Sequence, residues 1–148
     1  MITQAYDAMK LGDRTVSRAR TVTETDVVMF AALSGDWYPL HSDQEYASAT
    51  SFGQRIAHGL LVLSITSGLL KIEPECVIAF YGMDQVRFTA PTFIQDTIHV
   101  ETEVVDLEDR SERAGLVTFK ILTKKSSGET VLTCLMKVLV AKADRLNL

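Results

Sequence analysis

The chain has 148 residues, 47% of them hydrophobic, and a formal net charge of −4. This length and composition indicate a globular protein, and we expect a single domain over residues 1–148. The negative charge and the lack of a dense Lys/Arg stripe argue against nucleic acid as the main partner. We also expect no signal peptide, no membrane partner and a cytoplasmic location.

The first half of the chain predicts a strand and two helices. Residues 15–23 alternate in polarity, which favours a strand. Thr23 then offers an N-cap for a helix with an apolar stripe. Ser42 and Glu45 have the spacing of a capping box, which predicts a short helix through Ala49.

A second long helix is predicted over residues 59–70, which are apolar on nearly every side of a helical projection. Such a helix should be buried on all sides. Its polar residues, Ser64, Thr66 and Ser67, would then need hydrogen-bond partners.

The second half of the chain predicts antiparallel strands. Alternating or β-forming residues cover 77–88, 98–104, 117–121 and 132–140, and a hairpin turn is predicted at 126–128. Cys76 and Cys134 lack a Cys-x-x-Cys spacing and are expected to be reduced core thiols. Segregated helices and strands indicate an α+β fold, with one curved antiparallel sheet around a central buried helix.

The candidate chemistry lies between Ser34 and Ala47. Asp36 and His41 are five positions apart, and Gly35 and Pro39 argue against one continuous helix there. An imidazole titrates near neutral pH, and a carboxylate can orient it or share proton transfer with it. The pair therefore suits chemistry that moves protons and water.

Several segments carry a family resemblance. They are Phe30–His41, Tyr46–Ala47, Phe52–Gly59, Ser67–Gly68, Arg87–Phe88 and Pro91–Thr97. Together they resemble the MaoC-like dehydratases, which include the (R)-specific enoyl-CoA hydratases. The Asp-x-x-Pro-x-His pattern followed by a downstream His-Gly pair is the most specific part of the resemblance.

The resemblance implies a hot-dog fold and a homodimer or dimer-based oligomer, with an acyl-thioester tunnel near the subunit interface. It implies that Asp36 and His41 are the catalytic pair and that the Gly59 N–H binds the thioester oxygen. Ser67 would be a supporting polar residue. No His-x-His or paired ligand spacing appears in the chain, so we expect no metal. The implied chemistry needs no bound cofactor, because CoA or acyl carrier protein arrives as part of the substrate.

Two positions depart from the family pattern. Tyr38 replaces the usual Asn, which brings bulk and one hydroxyl in place of a donor and an acceptor, and could reshape the substrate pocket. Gln95 stands where Gly is common, a change that we interpret as minor. His58 has two interpretations, as a structural contact before the second long helix or as part of the substrate-binding site.

Three functions follow from these residues. The first is a hydro-lyase that reversibly hydrates a 2-enoyl thioester to the (R)-3-hydroxyacyl thioester, with His41 mainly as the base and Asp36 sharing the proton. The second is a hot-dog thioesterase, which usually needs a carboxylate on the central helix, and residues 59–70 contain none. The third is a non-catalytic thioester-binding subunit.

Overall fold

The computed structural model describes residues 2–145. Its helices are α1 (Glu24–Ser34), α2 (Pro39–Ser42), α3 (Gln44–Ser48) and α4 (Gly59–Leu69), and short 3-10 turns lie at Tyr6–Ala8 and Ala143–Arg145. Its strands are β1 (Arg14–Val16), β2 (Arg20–Thr21), β3 (Val77–Phe88), β4 (Thr97–Asp109), β5 (Ala114–Lys125) and β6 (Thr130–Ala141). The strands form one antiparallel sheet in the order β1-β4-β5-β6-β3, and β2 also pairs with β4. The predicted α+β class is confirmed.

The hydrophobic core lies between α4 and one face of the sheet. Its members include Val62, Ile65, Leu69, Ile98, Val100, Val117, Phe119, Ile121, Leu132, Cys134, Met136 and Val138. Along β4 and β6 the buried residues alternate with less buried ones, as expected for strands with one face on a core. Complete burial of one such large aliphatic side chain stabilises the fold by about 1.5–3 kcal/mol.

The helix predicted over residues 59–70 is confirmed, but the prediction that it is buried on all sides is wrong. Leu60 is 60% exposed, and Ser64, Ser67 and Gly68 are exposed on the same side. The reason is that the sheet of one chain covers only one face of α4. The buried hydroxyl of Thr66 lies 2.7 Å from the hydroxyl of Thr123, which satisfies both groups inside the core.

The predicted first strand over residues 15–23 is interrupted. The structure has two shorter strands, β1 and β2, separated by residues 17–19. The Ser17 N–H donates to the Val100 carbonyl at 2.8 Å, but the Val100 N–H donates to the Ser17 hydroxyl at 2.9 Å. A side chain thus replaces the main-chain acceptor, and the regular ladder stops there.

Of the two predicted helix N-caps, the one at Thr23 is correct and the one at Ser42 is wrong. Thr23 caps α1 with a capping box, which confirms the prediction. The predicted capping box at Ser42 is wrong, because Asp43 accepts from the Tyr46 N–H at 3.0 Å and caps α3 instead. Ser42 ends α2, and its hydroxyl donates to the Trp37 carbonyl at 3.0 Å.

The two cysteines are free and buried, as predicted for core thiols. Desolvation raises the pKa of the Cys134 thiol to about 11. Within residues 2–145, no helix is long and apolar enough to cross a lipid bilayer.

The turn before β4 holds a non-glycine residue in the left-handed region. Gln95 has φ 78°, and its N–H donates to the Val22 carbonyl at 2.7 Å. The Asp96 carboxylate accepts from the Phe93 N–H at 2.8 Å, which fixes the turn. For a residue with a Cβ, this conformation costs about 1–2 kcal/mol.

We predict that Gln95→Gly raises the free energy of unfolding by about 1 kcal/mol, because glycine adopts this φ without strain. Urea denaturation measures the change. The matched control is Gln44→Gly in α3, which should lower stability by about 1 kcal/mol because glycine is a poor helix former. A loss of stability in Gln95→Gly would contradict the strain argument.

Candidate active site

The segment between α1 and α3 presents Asp36 and His41, as predicted. The helix α1 ends at Ser34, and its C-cap residue Gly35 turns the chain with a φ of 77°. The Tyr38 N–H then donates to the Asp36 carboxylate at 3.2 Å. Pro39 does more than bend the segment, because it opens the short helix α2 that carries His41.

The hydrogen bond of His41 fixes its tautomer. Its Nδ1 lies 2.8 Å from the main-chain carbonyl oxygen of Ile56. A carbonyl oxygen can only accept, so Nδ1 carries the hydrogen and Nε2 of the neutral ring keeps its lone pair. His41 is therefore prepared to accept a proton at Nε2.

His58 makes a similar hydrogen bond from a more buried position. Its Nε2 lies 2.9 Å from the main-chain carbonyl oxygen of Asp36, and the residue is 2% exposed. Its Nδ1 is buried and has no hydrogen-bond partner among residues 2–145. Desolvation lowers the pKa of His58, and the neighbouring His41 acts in the same direction.

The two imidazoles lie against each other. Their ring centroids are 3.9 Å apart with an angle of 30° between the planes, and Phe30 lies 5.0 Å from the His58 ring. One potential ligand atom from each of Asp36, His41 and His58 lies within 4.8 Å of the others. Such donors also suit Zn²⁺, so the expectation of a metal-free site stays a prediction.

A cleft of about 350 Å³ joins His41 to the start of α4. Gly59, Phe88 and Val131 also line it, and most of its wall is apolar. Gly59 is the first residue of α4. The first N–H groups of a helix have no intrahelical acceptor and lie at the positive end of its dipole. The cleft therefore holds a proton acceptor and a site for developing negative charge.

The two remaining predicted site residues, Tyr38 and Ser67, are both exposed. Tyr38 is 53% exposed, its ring meets His41 edge-on at 6.2 Å, and its hydroxyl lies 3.2 Å from that of Tyr46. The exposed Ser67 donates its hydroxyl to the Ser64 carbonyl at 2.8 Å, a bond within its own helix. A supporting role for Ser67 stays a prediction.

Two further groups shape the site, and sequence analysis assigned them no role. The Ile56 carbonyl orients His41, but any residue type supplies a carbonyl, so no sequence signal marks it. Phe88 packs over the start of α4, where a Cβ on Gly59 would lie 3.0 Å from its ring carbons. The signal for this contact is the pairing of a glycine at a helix start with an aromatic residue at a strand end.

Comparison with known proteins identifies the family. Residues 9–125 match the model of the MaoC like domain. The chain therefore belongs to the MaoC-like domain family, as its sequence resemblance indicated.

Individual relatives agree with this assignment. The (R)-specific enoyl-CoA hydratase of Rhodospirillum rubrum is 33% identical over 120 residues, which is 81% of each chain. Protein MaoC of Klebsiella aerogenes is 40% identical over 98 residues, covering 64% of this chain and 29% of that protein. This chain thus matches less than a third of the length of the Klebsiella protein.

Solved structures support the fold. A protein of Archaeoglobus fulgidus described as a monoamine oxidase regulatory protein has 42% identity and a TM-score of 0.89 over 95% of both chains. A Mycobacterium tuberculosis protein with a double hot-dog fold has a TM-score of 0.84 at 21% identity, over 95% of this chain and 44% of that chain. The second likeness concerns the fold alone. The predicted hot-dog fold is confirmed.

We predict that Gly59→Ala lowers the free energy of unfolding by about 1 kcal/mol, because its methyl group would lie 3.0 Å from the Phe88 ring carbons and force the ring to shift. Thermal unfolding measures the loss. Gly68→Ala, on the same helix with nothing within 4 Å, is the control and should gain up to about 1 kcal/mol. Adding Phe88→Leu to Gly59→Ala should recover most of the loss. Equal effects of the two glycine substitutions would contradict the packing argument.

Proposed function

We propose that this protein is a hydro-lyase that reversibly adds water to a 2-enoyl thioester and forms the (R)-3-hydroxyacyl thioester. The observation that carries the proposal is the cleft shared by the His41 ring and the first residue of α4. Because the Ile56 carbonyl holds the hydrogen of His41 on Nδ1, the unprotonated Nε2 is available to a water molecule.

The proposed reaction assigns one task to each group. His41 Nε2 takes a proton from water as the oxygen attacks C3 of the enoyl group. Negative charge moves to the thioester oxygen, where the Gly59 N–H and the dipole of α4 stabilise it. Asp36 shares this proton with His41 and delivers it to C2 as the new C–H bond forms, so one water is added in total. The reverse sequence removes water from the hydroxyacyl thioester.

The hydratase and dehydratase names of relatives support this choice of reaction, because the (R)-specific hydratase matches this chain over most of its length. The thioesterase alternative lacks the expected carboxylate, since α4 contains neither Asp nor Glu. Either CoA or acyl carrier protein can carry the acyl group, and the apolar wall of the cleft suits an acyl chain. Proton transfer by Asp36 and His41 needs no bound cofactor.

We predict that purified protein removes the ultraviolet absorbance of enoyl-CoA in a panel of short, long, branched and dicarboxylic substrates. Asp36→Asn and His41→Gln should each lower kcat/KM at least about 100-fold, because each removes a proton-transferring group. The matched controls are Asp106→Asn and His99→Gln on β4, which should keep wild-type rates.

Other outcomes identify the rival functions. Release of free thiol without hydration would indicate the thioesterase. Binding of enoyl-CoA without turnover would indicate the non-catalytic subunit. Near-wild-type rates in both Asp36→Asn and His41→Gln would refute the proposed mechanism even if hydration occurs.

We also propose that two copies of the chain associate through β3. This strand lies at one edge of the sheet, where its outer main-chain groups are available for pairing. It exposes Ile78 (53%), Phe80 (60%) and Tyr81 (62%), and Phe88 at its end reaches the cleft. An exposed apolar patch of this kind on a sheet edge is typical of an interface.

We predict that the wild-type protein has the mass of a dimer, or of a multiple of it, by light scattering. Phe80→Lys should weaken association at least about tenfold, because it places a charge in an apolar contact. Val16→Lys on β1, at the opposite edge and also well exposed, is the control and should leave the mass unchanged. A monomeric wild-type protein, or an unchanged mass in Phe80→Lys, would contradict the proposal.

A further inference from the structure

His58 is the most buried ionisable side chain at the site and the least explained. It is 2% exposed, whereas Asp36 is exposed and His41 only partly buried. It cannot reach solvent to exchange protons directly, and its Nδ1 lacks a protein partner among the described residues. A purely apolar residue would fill the same space without leaving a polar atom unsatisfied.

We propose that His58 is a positioning residue for hydration, which holds the Asp36 main chain through Nε2–H and supports the His41 ring through its own uncharged face. This inference rests on the proposed function. His58 itself reaches neither water nor substrate in this scheme, and it acts through its two neighbours.

The first step of the argument concerns the tautomer. The Asp36 carbonyl can only accept, so the Nε2 atom 2.9 Å away must carry a hydrogen. Nδ1 is then the unprotonated nitrogen. Adding a proton there would bury a charged N–H with no acceptor among residues 2–145, which is costly.

The second step concerns the charges around the ring. The titratable groups that face His58 are His41, on α2, and the Asp36 carboxylate, and the α1 side chain against it is the neutral Phe30. When His41 takes a proton from water, it becomes a cation whose ring centroid is 3.9 Å from that of His58. A second cation at this distance would oppose that step, and an uncharged ring does not.

The third step concerns geometry. Asp36 is on an exposed segment and His41 is on a helix of four residues, so neither has a long element to hold it. His58 is the N-cap residue of α4, and one face of this helix is buried in the core. By contacting both groups, it ties the acid and the base to the same rigid helix, and proton transfer is sensitive to such placement.

The kinetic test compares His58→Leu with His58→Gln, whose amide can still donate to the Asp36 carbonyl. We expect His58→Leu to lower kcat at least tenfold with KM within twofold of wild type. The kcat of His58→Gln should be at least threefold higher than that of His58→Leu. The control Thr66→Val, elsewhere on α4, breaks the buried hydrogen bond between the Thr66 and Thr123 hydroxyls and should lower stability without changing kcat. A kcat within twofold of wild type in His58→Leu, or an equal loss in Thr66→Val, would overturn the proposal.

A second measurement needs no variant. Nitrogen-15 NMR of the substrate-free wild-type protein at pH 7 should show His58 neutral with its hydrogen on Nε2. A cationic ring, or a hydrogen on Nδ1, would overturn the proposal even if every His58 variant failed to fold.

The two proposals fail in different ways. If wild-type protein hydrates no enoyl thioester, the proposed function is wrong. The positioning role is then tested by comparing the NMR signals of the His41 ring in the wild type and in His58→Leu. The His41 ring should give one set of signals in the wild type and broadened or multiple sets in His58→Leu, because it loses the ring contact that holds it in place. An unchanged His41 spectrum in folded His58→Leu would refute the positioning role.

Discussion

The packing of α4 against the sheet is the contact on which the rest of the structure depends. Val62, Ile65 and Leu69 project from the helix into the core formed by the central strands. Because this face is buried, the helix start is fixed relative to the strand end that carries Phe88. The cleft, the glycine N–H and the buried imidazole of His58 all take their positions from that helix start. A small shift of α4 would therefore move the Gly59 N–H and the His58 ring together.

The chemistry of the site depends on main-chain carbonyl groups as much as on side chains. Two carbonyls, from Ile56 and Asp36, each accept a hydrogen bond from an imidazole and so select its tautomer. The selection leaves Nε2 of His41 and Nδ1 of His58 without hydrogens. The His41 residue lines an open cleft, whereas Nδ1 of His58 is enclosed, so two chemically identical side chains have different capacities to exchange protons.

Some exposed features of the chain bear on the proposed association of two copies. β3 exposes several apolar side chains, and α4 exposes Leu60 on its uncovered face. Exposed apolar side chains grouped along a strand are typical of an interface. Phe88 connects β3 to the cleft, since it ends that strand and also lines the cleft. A partner placed along β3 would therefore lie beside the acyl-binding wall, which links the proposed assembly to the proposed substrate.

The sequence by itself determined the α+β class, the central helix, the four long strands and the segment that carries Asp36 and His41, because periodicity and turn residues act locally. The prediction from sequence placed the N-cap of α3 one residue early, at Ser42 in place of Asp43. It also joined β1 and β2 into one strand, because the Ser17 hydroxyl that replaces a main-chain acceptor does not disturb the alternation of polarity. Only the tertiary structure decided that His58 contacts both Asp36 and His41, and which nitrogen of each ring carries the hydrogen. The physical reason is that those contacts join segments distant in the chain and use main-chain carbonyls, which are the same in every residue.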